Sequence, residues 1–476
     1  MLAPLDYAVI TLYLAAITAF GSWFARFQHT TRDYFLSGHS VPWWAVCCTV
    51  VATETSTLTF IGIPATAYAG NMTFLQLALG YVIGRVLVSA LFIPAYFRGE
   101  LVTSYQLLQR RFGLRVTRLS AGLFLVTRSL ADGIRLFATA LVIGVVTGVP
   151  TTWATLIVGA IMIVYTVRGG AAAVIWTDVV QMFVYVAGAA AVAWYLLAMI
   201  PGGWAEVVRA GGAADKFSMW DLSTDPATIY TLWTGLFGGV ALTLATHGTD
   251  QFLVQRLLAA TSARAAATGL VLSGVIVFAQ FTLFLTIGVM LYTFYQHVAL
   301  PGPLGRTDEI LPTFVVTQLP SGLAGFIVAA IVAAALSPSL NAMAATTVTD
   351  FYLPQVRQAP DEATLVRVSR RITVAWGVVQ LAVALAAQFM DRSVLDAGLA
   401  VLSFASGAVL GAFVIATSMP SVREPDALAG MAAGLLTMTV VWAATPLAWT
   451  WYVFVGALTT CGTAWLLARR AAAPPA

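Results

Sequence analysis

About thirteen apolar segments, each long enough for a helix to cross a bilayer, follow one another along this 476-residue chain. No other feature limits the fold so strongly. In hydrocarbon a backbone must satisfy its own hydrogen bonds, so these segments have to be helices and the chain an all-α polytopic membrane protein. The charge content agrees: 9% of residues are charged and 60% hydrophobic, where soluble domains carry about 25% charge. The segments are 6–25, 43–69, 73–97, 116–148, 151–168, 172–199, 228–258, 265–296, 321–351, 364–389, 394–418, 427–445 and 447–469, numbered 0 to 12. The remaining tracts are too short for a soluble domain, so residues 1–476 read as one transmembrane domain.

The loops carry the orientation. Arg98, Arg110, Arg111, Arg115 and Arg118 cluster after segment 2, Arg357, Arg367, Arg370 and Arg371 after segment 8, and Arg469 and Arg470 close segment 12. Alternating helices put all three clusters on one side, and the positive-inside rule makes that side cytoplasmic. The N-terminus is then outside, the C-terminus inside, and the loops 200–227 and 297–320 outside. Lys216 is the sole lysine and the formal net charge is only +4, so the basic residues mark topology rather than a nucleic-acid surface. The start of the chain lacks the basic, cleavable pattern of a signal peptide, which makes segment 0 a retained span. Cys47, Cys48 and Cys461 show no metal-ligand spacing and read as small apolar packing residues.

Within this apolar setting Glu54 stands out. It lies in the middle of Val50-Val51-Ala52-Thr53-Glu54-Thr55-Ser56-Thr57-Leu58-Thr59, with Gly62 and Pro64 following. A carboxylate at that depth costs roughly 2.5–3.5 kcal/mol or more, so a partner or a wet cavity must offset it. The crowded hydroxyls suit a binding site in an interrupted helix. His247-Gly248-Thr249-Asp250-Gln251 repeats the arrangement in segment 6. Five segments separate the two acids, as expected of two five-helix repeats whose first helices are broken at the midplane. The repeats would be 43–199 and 228–418, with 6–25 before them and 427–469 after.

Other polar residues occupy spans. Arg85 lies in segment 2. Arg128, Asp132 and Arg135 in segment 3 share a helix face by spacing; Arg128 and Asp132 suit a structural pair, and Arg135 suits either a pair or a pocket wall. Asp178, early in segment 5, needs a cation, a proton or an arginine, and a cation or proton role is favoured. Ser337-Pro338-Ser339 in segment 8 is equally a kink device and a source of oxygen ligands for an alkali ion. His247 is a proton relay or a packing residue. Gln76 and Asn71 line a pocket or satisfy neighbours. No phosphate loop of the Walker type, no His/Cys/Glu metal array and no Gly-x-Ser-x-Gly elbow occurs, so ATP-driven work and intramembrane catalysis are disfavoured.

Several motifs resemble the sodium:solute symporter family, in order along the chain. They are Asp33-Tyr34-Phe35-Leu36-Ser37-Gly38, Thr103-Ser104-Tyr105 through Arg110-Arg111-Phe112-Gly113, Gly169-Gly170 through Trp176-Thr177-Asp178, Asp250-Gln251 through Val254-Gln255-Arg256, and Ser339-Leu340-Asn341 through Asp350-Phe351-Tyr352. The resemblance implies the inverted five-plus-five fold, with one helix added before and two after, and alternating access driven by a sodium gradient. It implies a sodium site at the carbonyls of Ala52, Thr55 and Ile331 and the side chains at 334 and 335. Here Ala334 and Ala335 stand where the family usually has hydroxyls. A second sodium site known in some members would use Asp178 and Ser337. Glu54, beside the first site, either compensates with its charge or carries a proton in place of sodium.

Three expectations follow. The protein is a secondary active transporter that moves a small polar organic solute into the cell with a cation, sodium first and a proton as the alternative; uncoupled exchange is the remaining form. The solute would meet Ser56, Thr59, Gln76, Arg135, His247 and Asp250, a set suited to a zwitterion or polar anion. The chain would sit in the cytoplasmic (inner) membrane, without nucleic acid, organic cofactor or obligatory protein partner. A non-transporting membrane sensor is the competing class, and it would need a separate output partner.

Overall fold

A computed structural model describes residues 2–23, 35–99, 101–335, 339–357, 360–390 and 394–472. Its elements are helical, with one isolated backbone bridge between Val41 and Ala260. The membrane helices are α1 (Pro4–Trp23), α2 (Trp43–Glu54), α3 (Thr57–Ala69), α4 (Phe74–Leu91), α5 (Leu114–Thr147), α6 (Thr151–Met199), α7 (Val240–Gly248), α8 (Gln251–Leu258), α9 (Ala263–His297), α10 (Leu323–Ala335), α11 (Leu340–Thr346), α12 (Glu362–Ala387), α13 (Val394–Ser418), α14 (Glu424–Ala444) and α15 (Tyr452–Ala472). Among the described residues nine helices are long and apolar enough to cross a membrane, and the bent pair α2–α3 makes a tenth. The expected count of about thirteen is compatible with this, because the other candidates are short or broken helices.

Both expected interruptions occur, and local chemistry explains them. The axis turns by 62° between α2 and α3. Thr55 leaves helical geometry, Ser56 is extended, and the Ser56 N–H bonds the Glu54 carbonyl instead of continuing the helix. Hydroxyl side chains support such breaks by bonding freed backbone groups: the Thr59 hydroxyl donates to the Glu54 carbonyl at 3.0 Å. The second break follows Gly248. Asp250 is extended and caps α8, accepting the Phe252 N–H at 2.9 Å. Each acid therefore sits where its helix stops or starts.

One expected boundary is corrected. The sequence places a loop at Gly169-Gly170, yet the backbone is helical from Thr151 to Met199. A straight helix of that length would run about 74 Å, more than twice the hydrocarbon thickness. Its two stretches serve different neighbours. The first packs on α12, where Gly159 faces Leu381 and Gly377 faces Ile163; the second packs on α2 and α10 through Trp176 on Trp44 and Gly188 on Ile327.

Small residues and buried polar ties hold the bundle together. A Cβ at Gly80 would lie 2.0 Å from the Gly235 carbonyl oxygen, so α4 touches the turn before α7 backbone to backbone. Gly80→Val should therefore lower the melting temperature of the purified protein, by an overpacking cost of about 1–3 kcal/mol. On α1, buried Asp6 accepts the Gly322 and Gly325 N–H groups at 2.6 and 2.8 Å, capping the start of α10 from another helix.

Lys216, in the loop after α6, donates to the Tyr68 and Gly70 carbonyls at 2.7 and 2.8 Å and lies 4.3 Å from the Tyr292 ring centroid. Burial pulls its ammonium below the ordinary lysine range, while those two carbonyls at the end of α3 give the charge its partners. Charged hydrogen bonds contribute about 1.5–3 kcal/mol. Lys216→Met should accordingly lower thermal stability by an amount in that range, read from a melt in detergent.

Candidate functional site

The break between α2 and α3 opens onto a central cavity of about 140 Å³, well above the room one water needs. Ser56 and Thr59 line it from the break, Asp132 and Arg135 from α5, and His247 from α7, with Glu54 at its edge. Leu58, Leu395, Leu399 and Leu402 make up an apolar side. Four of the six expected solute contacts, Ser56, Thr59, Arg135 and His247, are thus brought together.

Two are not. Gln76 points to the loop before α7: its amide nitrogen reaches the Thr73 and Tyr230 carbonyls at 3.4 Å, and its oxygen accepts the Asp221 N–H at 3.2 Å. Asp250 does not line the cavity. It binds Arg128, whose guanidinium does, and borders a smaller cavity beyond, with Tyr105, Thr249 and Ser406. The Arg128–Asp250 pair stands between the two spaces. The expected Arg128–Asp132 pair is the looser one at 3.7 Å, and Asp132 instead accepts the Ser339 hydroxyl. The i,i+4 spacing suggested the local partner, but the helix break brings the remote acid closer.

Glu54 has a partner that the sequence left open. The Arg85 guanidinium, fully buried on α4, binds its carboxylate and reaches His247 Nε2 at 3.2 Å. An arginine can only donate, so Nε2 is the acceptor and the proton of a neutral imidazole sits on Nδ1. Nδ1 meets the Thr246 hydroxyl at 2.9 Å, and that hydroxyl donates to the Leu242 carbonyl. His247 is thus tied into a charged cluster, not merely packed. Arg85 was absent from the expected site; an arginine within a span, one segment on from an acid within a span, was the signal.

The cation-binding candidates divide into two places. Ala52 and Thr55 are buried at the end of α2, where the Thr55 hydroxyl bonds Gln280 Oε1 at 3.0 Å. The Ile331 carbonyl accepts the Thr57 hydroxyl at 3.0 Å, and Thr139 donates to Thr57 at 2.9 Å. One hydroxyl, that of Thr57, therefore meets this carbonyl with Thr139 behind it, although Ala334 and Ala335 supply none. The backbone of both alanines is within α10; Ser337 lies outside the described residues, as does the Asp33-Tyr34 start of the first motif. Asp178 forms the second place. One of its oxygens accepts Thr49 at 2.7 Å, Thr53 at 3.4 Å and the Arg256 guanidinium at 3.1 Å. Of the partners that the depth of Asp178 calls for, an arginine is thus present on one of its oxygens. Phe252 lies between Arg256 and Arg128, 4.4 and 4.7 Å from the two guanidiniums.

On the side of the loops 200–227 and 297–320, Leu395 presses on Gly62, where a Cβ would come within 2.8 Å. Beyond it a vestibule of about 510 Å³ is bordered by Asp308, Asp396 and Tyr230. Burial pushes the Asp308 carboxyl above the usual range, partly countered by the Val394 N–H. The central cavity thus has an apolar contact on one side and an ion pair on the other.

Comparison with known proteins matches residues 34–434 to a family model described as the sodium:solute symporter family. The human sodium/iodide cotransporter is 33% identical over 447 residues, covering 90% of this chain and 68% of the relative. The sodium/sialic acid symporter of Aliivibrio fischeri is 30% identical over 465 residues, covering 95% and 91%. A solved substrate-bound, outward-open structure of a Na+-coupled sialic acid symporter superposes with a TM-score of 0.91 at 26% identity, over 98% of both chains.

Proposed function

The chain belongs to the sodium:solute symporter family, and from that premise we propose that it carries a small anionic or zwitterionic organic solute into the cell with sodium, by alternating access through the central cavity. The carrying observation is that cavity at the α2–α3 break, walled by Arg135, Asp132, His247 and the hydroxyls of Ser56 and Thr59. Around the cavity and its ion pairs, three buried acids (Asp132, Asp178, Asp250) and the half-buried Glu54 stand with four buried arginines (Arg85, Arg128, Arg135, Arg256). A core balanced in this way accepts an added sodium most easily when the solute brings a negative group, since an uncompensated buried charge is costly. The solutes named for the relatives, iodide and sialic acid, are anions. The pocket residues assigned are Ser56, Thr59, Arg135 and His247; Glu54 holds Arg85 and shapes the break.

The conserved sodium site would use the carbonyls of Ala52, Thr55 and Ile331, and Asp178 would serve the second. The missing hydroxyls at Ala334 and Ala335 favour one variation, a proton in place of sodium at the first site. The membrane is the cytoplasmic one, with the N-terminus outside and the arginine clusters inside.

A thermal-shift screen of organic anions and zwitterions, with sodium or with choline, tests the reading. A solute that stabilises the protein should do so more strongly with sodium present, because coupling between ligands is reciprocal. A stabilising solute whose effect ignores sodium contradicts it.

A further inference from the structure

Arg128 on α5 is held between two acids and has a donor left over. It is 6% exposed. Its Nη2 binds Asp250 Oδ2, and its Nη1 lies 3.7 Å from Asp132 Oδ1. The Phe252 ring centroid is 4.7 Å from its Cζ, which holds the guanidinium plane in place. Its Nε is buried and finds no acceptor among the described residues. Buried donors are nearly always satisfied by protein, water or ligand. Arg128 also borders the central cavity, on the wall it shares with Asp132 and Arg135.

The planar guanidinium gives this spare donor a direction. Nε–H and one N–H of Nη2 run parallel along one edge, the fork that takes a carboxylate with two hydrogen bonds. Asp250 fills half of that fork. Its Oδ2 takes Nη2, while its Oδ1 accepts the Phe252 N–H at 2.9 Å and caps α8. The cap holds the second oxygen away from Nε. Asp250 is therefore a one-oxygen ligand on a two-donor edge. A carboxylate with both oxygens free satisfies that edge better, and the cavity that Arg128 borders can deliver one.

We propose that Arg128 receives a carboxylate of the solute on its Nε–Nη2 edge in exchange for Asp250, so that filling the central cavity releases the closure between it and the smaller cavity beyond. The proposal rests on the anionic-solute reading above and narrows the anionic group to a carboxylate. Arg135 was the arginine expected to meet the solute; Arg128 was read as a structural partner of Asp132. The exchange keeps Arg128 compensated throughout. One carboxylate replaces another, and Nη1 stays beside Asp132, so no step leaves a buried guanidinium alone. Asp250 keeps its bond to the Phe252 N–H and turns to the smaller cavity, with Tyr105, Thr249 and Ser406. An amide or a halide ion lacks the two charged oxygens that the edge is built to take.

The test uses the purified full-length protein in sodium and in choline. The probes are butyrate, benzoate and sialic acid, set against butyramide and benzamide. At least one acid should raise the melting temperature, and neither amide should. Asp250→Asn keeps the cap but no longer competes for Nη2, so it should lower the half-maximal concentration of that acid at least fivefold. Arg128→Lys keeps the charge and loses the fork, so it should raise that concentration at least tenfold. In a Ser406→Cys variant whose own Cys47, Cys48 and Cys461 are replaced, the same acid should speed thiol labelling at least tenfold. Once Asp250→Asn is added, the acid should speed it no further. A purely structural Arg128–Asp250 pair gives the opposite sign for Asp250→Asn, weaker binding by a loosened protein. Unchanged or weaker binding in Asp250→Asn overturns the assignment. So does an amide as effective as its acid, or a protein that responds to none of the three acids. An acid that obeys these signs equally in choline and in sodium leaves the Arg128 assignment standing and contradicts the sodium reading alone. Should Arg128→Lys not fold, Asp250→Asn and the labelling rate decide the matter.

Discussion

Glu54→Ala should abolish concentrative uptake and also destabilise the protein, whereas Glu54→Ala combined with Arg85→Met should fold about as well as the parent and still fail to transport. The two halves have different causes. Arg85 is fully buried and Glu54 is its carboxylate partner. Removing one member of a buried pair leaves an uncompensated charge and costs about 3–5 kcal/mol, while replacing both with apolar groups is often neutral. The double variant therefore restores the fold. It does not restore the charged site at the α2–α3 break, and it also removes the guanidinium that donates to His247. Melting curves in detergent and solute uptake by vesicles read the two effects separately. Parent-like uptake by the double variant would mean that the Glu54 cluster is structural only.

Asp250→Asn should leave α8 capped but open the inner side of the cavity. Asparagine caps a helix about as well as aspartate, so the bond to the Phe252 N–H survives. The charge that holds Arg128 does not. Losing about 3 kcal/mol from a buried pair is roughly a hundredfold in an equilibrium, and the equilibrium in question is closure between the central cavity and the small one at Ser406. A cysteine placed at Ser406, in a variant whose own Cys47, Cys48 and Cys461 are replaced, should react with a thiol reagent applied from inside at least tenfold faster once Asp250 is asparagine. Accumulation should fall at the same time, because a carrier open at both faces leaks. An unchanged reaction rate would show that Arg128–Asp250 is not the inner closure.

What could be read from the sequence was local. The two breaks at Glu54 and Asp250 were legible because an acid, hydroxyls and glycine lie within a few residues of each other and can satisfy an interrupted backbone where they stand. Depth in a span also picked out Ser56, Thr59, Arg135 and His247, which line the central cavity. The partners were not legible. Arg85 is 31 positions from Glu54, Asp250 is 122 from Arg128 and Arg256 is 78 from Asp178; pairing at such separations is set by helix packing. Local spacing gave Arg128 only its looser partner, Asp132 at 3.7 Å; the closer one, Asp250, lies on another helix. Gln76 was drawn away from the cavity by the loop that carries Asp221 and Tyr230, which no periodicity records. The continuous backbone at Gly169-Gly170 shows the converse: two glycines signal a loop by propensity, but propensity alone does not stop a helix held by neighbours on both sides.

The most direct test is uptake of an identified solute into vesicles reconstituted with the purified protein, with sodium and pH gradients imposed one at a time. Inward sodium should drive accumulation above the outside concentration, and collapsing the sodium gradient should release the solute. Uptake that only equilibrates the solute, at the same rate whichever gradient is imposed, would contradict the account.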